Sequence, residues 1–316
     1  NLVPSLVREA FRIAEEERPG AVLLELPEDI AAEETDAKVL NPTERFYAIG
    51  CDEVLQLAAA KIKAAKRPLI LVGAGANRRN IRRSISDFIS FTRIPFFCTQ
   101  MGKGVVDESS DLFLGTAALS DKDYLHDYIK AADLIINIGH DVVEKPPFFM
   151  EHGGTEVIHV NYKSAKVDQI YFPQIEVIGH IMLSLDRLCE LIERPQKYDL
   201  SSFEKVKTNV NEKIYEKSDC DDFPMKPQRI VSDIRKIMGY HDIIALDNGV
   251  YKIWFARNYK AFQPNTILLD NALATMGAGL PSAMMAAMLF DKRKVLAICG
   301  DGGFMMNSQE LETAVR

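Results

Sequence analysis

Gly300-Asp301-Gly302-Gly303 sets one carboxylate among three glycines, directly after the apolar run Val295 to Cys299. That run reads as a buried strand bounded by glycine. A helical pattern follows, with Met306, Leu311 and Val315 among polar Ser308, Gln309, Glu310 and Glu312. Asp301 is therefore expected at the carboxyl end of a strand and the amino end of a helix. Open α/β sheets bind ligands at such strand ends. The backbone around Gly300, Gly302 and Gly303 and the helix dipole favour phosphate there. Mg²⁺ is typically held by one or two carboxylates plus phosphate oxygens. The chemistry on offer is a metal–diphosphate clamp with Asp301 as the metal ligand. A bare Gly-Asp-Gly is also an ordinary turn, and the strand before it is what favours a site.

Three more glycine turns follow apolar runs or precede helices. Asp247-Asn248-Gly249-Val250-Tyr251 comes after the run Asp242 to Leu246 and opens a helix. It is a turn with an N-cap, and it offers a second anion-binding helix start through Asn248, Gly249, Val250 and Tyr251. Val250 has only backbone groups to give. Thr275-Met276-Gly277-Ala278-Gly279-Leu280-Pro281 lies just before a helix. Close helix–sheet packing explains its glycines, and a core position explains its methionine, equally well. Val72-Gly73-Ala74-Gly75-Ala76-Asn77 looks like a dinucleotide fingerprint without its third glycine and without an acid downstream. A tight strand–helix turn and a nucleotide site are equal readings of it.

The elements that must position these turns alternate along the chain. Helix Leu2 to Ala14 and strand Ala21 to Leu26 come first, then a polar stretch containing Asn41-Pro42. From Cys51 the order is helix 52–65, strand 68–72, helix 80–91, strand 95–98, strands 134–138, 157–160 and 175–178, and helix 181–192. Residues 194 to 226 are charged and contain prolines, which reads as a linker. Helix 227–238, strand 242–246, helix 251–259, strand 266–269 and helix 277–290 then lead into the strand before Gly300. Helices alternating with strands imply α/β domains, each with a doubly wound parallel sheet.

Composition bounds the class. The 316 residues suffice for two or three domains, with 47% hydrophobic and 26% charged residues, as in soluble globular proteins. A net charge of −7 argues against nucleic acid as a partner. No apolar run approaches the ~20 residues of a membrane span, and no signal-peptide pattern opens the chain. Five scattered cysteines and six histidines show no metal-ligand spacing, which fits a reducing cytoplasm.

Gly300-Asp301-Gly302-Gly303-Phe304-Met305-Met306-Asn307-Ser308-Gln309-Glu310-Leu311 resembles the Gly-Asp-Gly signature of thiamine-diphosphate enzymes, in the form seen in acetolactate synthases. The run Asn248 to Arg257 resembles the catabolic type. The resemblance extends over essentially the whole chain. Arg18-Pro19-Gly20 and Pro27-Glu28-Asp29 match the last helix and strand of the family's pyrimidine-binding domain. The implied domains are 1–35, the tail of the pyrimidine domain; 36–50, a linker; 51–195, the central domain; 196–225, a linker; and 226–316, the front of the diphosphate-binding domain.

By resemblance, Asp301 holds Mg²⁺, and the diphosphate meets Asn248, Gly249, Val250, Tyr251, Gly300, Gly302 and Gly303. Met276 receives the pyrimidine amino group on its carbonyl and props the cofactor with its side chain. The implied reaction decarboxylates pyruvate and condenses it with a second pyruvate to give acetolactate. No catalytic side chain is assigned here, because the family's activating glutamate falls upstream of this segment, on the neighbouring subunit. The chain thus reads as a segment of a longer homodimer or homotetramer, inactive alone. Thr99 to Gly104 and Leu114-Gly115-Thr116 match positions near FAD in the flavin-containing branch. Gly139-His140-Asp141, where that branch has an Arg, speaks against FAD. Other readings are a pyruvate oxidase or 2-keto-acid decarboxylase on the same cofactor, or a non-catalytic nucleotide-binding module.

Overall fold

Pro68–Val72 is an uninterrupted apolar run, and all five of its residues are buried. Runs of this kind belong in parallel sheets covered on both faces. The computed structural model describes residues 2–43, 46–78, 80–117, 123–140 and 150–316. The chain divides into two units, Asn1–Ala48 and Ile49–Arg316.

The first unit holds α1 (Val3–Glu15) and α2 (Glu28–Ala31). Arg8 ties α1 to the Asn41 carbonyl and the Thr43 hydroxyl. Leu2, Leu6 and Phe11 of the predicted helical stripe are exposed. The strand expected at Ala21–Leu26 does not form; these residues are exposed and unpaired among the described residues. Alternating apolar side chains stabilise a strand only when a neighbouring strand takes up the backbone groups.

In the second unit come α3 (Asp52–Ala64), β1 (Pro68–Val72), α4 (Arg82–Thr92), β2 (Phe96–Thr99), β3 (Phe113–Ala117), α5 (His126–Ala131), β4 (Leu134–Ile138), β5 (Glu156–Asn161), β6 (Ile175–Ile178), α6 (Ile181–Ile192) and α7 (Phe203–Tyr215). Their sheet is parallel throughout, in the order β3-β2-β1-β4-β5-β6. The chain starts in the middle and winds outward twice, so helices cover both faces, as the alternation predicted. One face packs on α3, α4 and α6 through Leu55, Phe88 and Leu185. The other packs on α5 and α7 through Tyr128, Phe203 and Val210.

The segment 196–225 is not bare connection. Its helix α7 buries Phe203, Val210 and Ile214, which sit on one helical face at spacings of seven and four. Apart from Val206 and Tyr215 its remaining positions are polar, and that composition is what masks the helix in the sequence. Strand β3 and helix α5 were also missed, being short and rich in glycine or polar residues.

After α8 (Pro227–Ile237) come β7 (Ile243–Leu246), α9 (Val250–Asn258), β8 (Ile267–Leu268), α10 (Gly279–Leu289), β9 (Val295–Ile298), α11 (Asp301–Met306) and α12 (Glu310–Val315). The second sheet is parallel, ordered β8-β7-β9. Only the middle strand β7 is fully buried. The strand before Gly300, expected buried, is half-buried at every residue, with β7 on one side of it among the described residues. The single helix expected after Gly300 is two short ones, interrupted at Asn307.

Candidate functional site

The carboxyl ends of β7 and β9, side by side in a parallel sheet, bring three of the glycine turns together. Asp247 directly follows β7 and Gly300 lies two residues past β9; the Thr275–Gly279 loop packs against both. The residue that gathers them is Asp247, which is completely buried. Its Oδ1 accepts hydrogen bonds from Asn248 N at 2.7 Å and from Gly277 N at 2.8 Å, and Oδ2 lies 3.0 Å from the same Gly277 amide. A carboxylate taking backbone N–H groups in a dry site is strongly held.

The glycines around Asp247 have a steric reason. A Cβ on Gly279 would lie 2.8 Å from Asp247 Cβ and 2.9 Å from both Asp247 N and Cys299 Sγ. A Cβ on Gly303 would collide with Asp247 Oδ2. Gly277 has φ +86°, in the left-handed region that glycine favours.

A second set of contacts fixes the rims. Tyr251 Oη accepts from Gly300 N at 3.1 Å, joining the first turn of α9 to the start of α11. Burial pushes the Tyr251 phenol above its ordinary pKa, so it stays a neutral hydroxyl; the Gly300 contact opposes that shift. The Asn248 amide donates to Thr275 O at 2.9 Å, and its oxygen accepts from Lys252 Nζ at 2.8 Å. Lys252 also donates to the Asp270 carbonyl. Burial lowers the Lys252 pKa, with Asp270 opposing. Asn307 donates to Gly277 O at 2.8 Å. The loop carrying Met276 is thus pinned on both sides.

The predicted site residues divide by exposure. Asp301, Gly302, Met276, Gly249 and Val250 are exposed, Asn248, Tyr251 and Gly300 half-buried, and Gly303 buried. Gly302 lies beside Met276, since a Cβ there would sit 3.8 Å from Met276 Cε. All of them surround one strand-end surface. Asn248 and Tyr251 spend their side-chain polar atoms on other parts of the protein, and the Gly300 amide is occupied by Tyr251. What remains free to face a ligand is the Asp301 carboxylate, the Met276 side chain and the first turns of α9 and α11.

Sequence reasoning gave Asp247, Lys252 and Asn307 no site role. Asp247 had a readable signal: it ends an apolar run just as Gly300-Asp301 does. Among the described residues no group of three or more His, Cys, Asp or Glu could hold a metal. One carboxylate is nonetheless enough for Mg²⁺ when phosphate oxygens and water complete the shell, and exposed Asp301 beside a glycine surface meets that requirement.

The first glycine turn is different. Gly73 N donates to Ile138 O at 2.9 Å, Gly75 N to Gly139 O at 2.7 Å, Ala76 N to Gly73 O and Asn77 N to Ala74 O. The backbone amides that would cradle a pyrophosphate are used within the protein. The turn is a 3₁₀ segment, Ala74–Ala76, and α4 starts only at Arg82. His140 stacks on Tyr171 at 3.9 Å, while Asp141 to Pro147 lie outside the described residues.

Residues 55–188 match the central domain of thiamine pyrophosphate enzymes, and residues 247–316 match their C-terminal TPP-binding domain. The chain belongs to the thiamine pyrophosphate enzyme family. The second match begins at Asp247, the residue that organises the strand-end site. Among similar curated proteins is an acetolactate synthase of Bacillus subtilis, 29% identical over 99% of this chain and 56% of the relative. A catabolic acetolactate synthase of Raoultella terrigena is 31% identical over 98% of this chain and 56% of its own length. A probable acetolactate synthase large subunit of Methanocaldococcus jannaschii is also 31% identical, over 98% and 55%. The chain spans a little over half the length of these relatives. No helix among the described residues is long and apolar enough to cross a membrane.

Proposed function

We propose that the complete protein is a cytoplasmic acetolactate synthase that joins two pyruvates with loss of one carbon dioxide. The observation that carries this reading is the convergence of Asp301, Met276 and two helix starts at one sheet end, in a family member whose relatives are acetolactate synthases. Thiamine diphosphate supplies the electron sink that lets a 2-keto acid lose its carboxylate. The residues of this chain hold and orient it. Asp301 would ligate Mg²⁺. The open amides at the starts of α9 (Val250, Tyr251) and α11 (Gly302, Gly303) would take the diphosphate. The Met276 loop, pinned by Asp247, Asn248 and Asn307, would set the pyrimidine ring. A homodimer or homotetramer supplying the activating glutamate completes the site.

The test is Asp301→Ala in the complete protein. Removing a charged partner from a bound pair costs about 2–5 kcal/mol, or about 30- to 5000-fold in affinity. Mg²⁺-dependent cofactor binding should fall by that factor while circular dichroism stays unchanged. Normal binding and normal acetolactate output in the variant would defeat the clamp. Acetaldehyde or acetyl phosphate as the product from pyruvate would instead point to a decarboxylase or an oxidase.

The spent amides of the Gly73–Asn77 turn also support flavin independence. The purified enzyme should be colourless and active without FAD. A stoichiometric flavin spectrum would contradict this.

A further inference from the structure

A cavity of about 190 Å³ opens where α7 meets the end of α9. Lys207 and Asn211 of α7, Arg257 and Lys260 at the end of α9, and Glu108 and Ser110 of the β2–β3 connection line it. Three of these six side chains are cations. Their neutralisation can be followed group by group.

Arg257 is spoken for, since its Nε donates to the buried Asp123 at 2.8 Å. Glu108 is spent inward. Its Oε2 accepts from Lys103 Nζ at 2.9 Å and from Ala261 N at 2.9 Å, and its Oε1 from Gly104 N at 3.3 Å. Two other nearby acids also turn elsewhere. Asp107 takes Ser109 and the Tyr240 hydroxyl, and Asp111 pairs with Arg93 at 2.7 Å. Lys207 donates only to the Asp111 backbone carbonyl, and Lys260 stands 5.7 Å from the Tyr215 ring centre. Neither makes an ion pair among the described residues.

Two half-buried ammonium groups therefore share a cavity wall with no ion-pair partner among the described residues, under the longer-range pull of Asp111 on Lys207 and of Glu108 on Lys260. They feel each other: burial lowers the Lys260 pKa, and Lys207 adds to the shift, against the pull of Glu108. The carbonyl end of α9 offsets part of this cost, because helix C-termini favour cations. An anion between the two would offset the rest. The cavity holds an oxyanion the size of a phosphate or a short carboxylic acid, with the Asn211 amide and Ser110 hydroxyl as further donors.

We propose that this cavity is a small-oxyanion site, taking one phosphate or carboxylate group between Lys207 and Lys260. It is separate from the strand-end site. The two lie at opposite ends of α9, about 13 Å apart along a nine-residue helix. A bound oxyanion would tie α7 to the C-terminal end of the helix whose N-terminal turn carries Val250 and Tyr251.

The complete protein, with excess thiamine diphosphate and Mg²⁺ present to fill the strand-end site, is titrated calorimetrically with inorganic phosphate and, separately, with malonate. Ionic strength is held constant with sodium chloride. Saturable binding of one equivalent per chain is expected for at least one probe, and the two arms tell a phosphate site from a carboxylate site. Lys207→Met with Lys260→Met keeps the aliphatic stems and should weaken binding by about tenfold or more. Lys260→Arg should retain it, which keeps the test readable if the double variant fails to fold. Repeating the titration in the Asp301→Ala background should change nothing, so a failed clamp and a failed oxyanion site give different results. Absence of saturable heat with both probes, or unchanged affinity in the folded double variant, overturns the proposal.

Discussion

Gly303→Ala adds one methyl group at a place the structure leaves no room for it. The new Cβ would run into Asp247 Oδ2 and stand 3.0 Å from Asp247 Cγ. Asp247 cannot step aside cheaply, because it is fully buried and Gly279 closes in on its Cβ. Either the carboxylate rotates and gives up Gly277 N, or α11 moves out. A hydrogen bond to a charged group is worth about 1.5–3 kcal/mol net, and overpacking a well-filled site costs about 1–3 kcal/mol. The structure takes the cheaper of these alternatives, so the expected loss is about 1–3 kcal/mol. The neighbouring glycines give the contrast. A Cβ on Gly302 meets only Met276 Cε at 3.8 Å, and one on Gly300 meets Tyr251 Cε1 at 3.3 Å. Gly302→Ala should stay within about 0.5 kcal/mol of the parent or gain slightly, since alanine is the better helix residue. Gly300→Ala should fall between them. The assay is urea unfolding of the complete protein by circular dichroism, paired with thiamine-diphosphate titration. If Gly303→Ala unfolds and binds cofactor like Gly302→Ala, Asp247 does not organise this site.

Phe203→Ala should cost about 3–5 kcal/mol, the range for removing a buried aromatic ring, because Phe203 anchors α7 in the core; a loss below about 0.5 kcal/mol in urea unfolding would restore the reading of 196–225 as mere linker. His159 is buried between the Tyr171 hydroxyl and the Lys163 carbonyl, and burial lowers its pKa from 6.5. The unfolded chain then binds a proton that the folded chain refuses, so stability should fall as pH drops below 6.5 towards the folded value, by up to about 1.4 kcal/mol per pH unit. His159→Gln should flatten that slope in unfolding free energies measured from about pH 5 to 7, and an unchanged slope would assign it to other groups.

The parts of the fold readable from the sequence are those where hydrophobicity is continuous. Pro68–Val72, Leu134–Ile138, Ile175–Ile178 and helix Ile181–Ile192 fall where the apolar runs and the 3.6 period put them. Phe113–Ala117 escaped because Gly115 and Thr116 dilute its pattern, and its burial comes from α7 and α9, which lie far along the chain. Ala21–Leu26 failed the opposite way, with a strand-like pattern and no strand beside it among the described residues. The strand order, which decides that the chain starts at the centre of the sheet, is a property of tertiary packing that no local pattern carries.

The site was legible to the same depth. Both strand-end acids stand in the sequence after an apolar run and before glycine, and nothing local separates them. The structure gives them opposite environments. Asp247 follows the central strand β7 and is covered by Gly279 from one side and Gly303 from another. Asp301 lies three residues past β9 and opens α11, exposed. A fully buried carboxylate closed in by backbone is out of reach of the phosphate oxygens and waters that complete a Mg²⁺ shell, whereas an exposed one is not. The two acids therefore differ in burial: Asp247 builds the cradle, and Asp301 is the one free to take the metal in the proposed function. On the proposed reading, Asp247→Asn should fail by loosening the Gly277 loop and Asp301→Asn by losing the metal. Urea unfolding separates the two, because only the first change should lower stability before any cofactor is added.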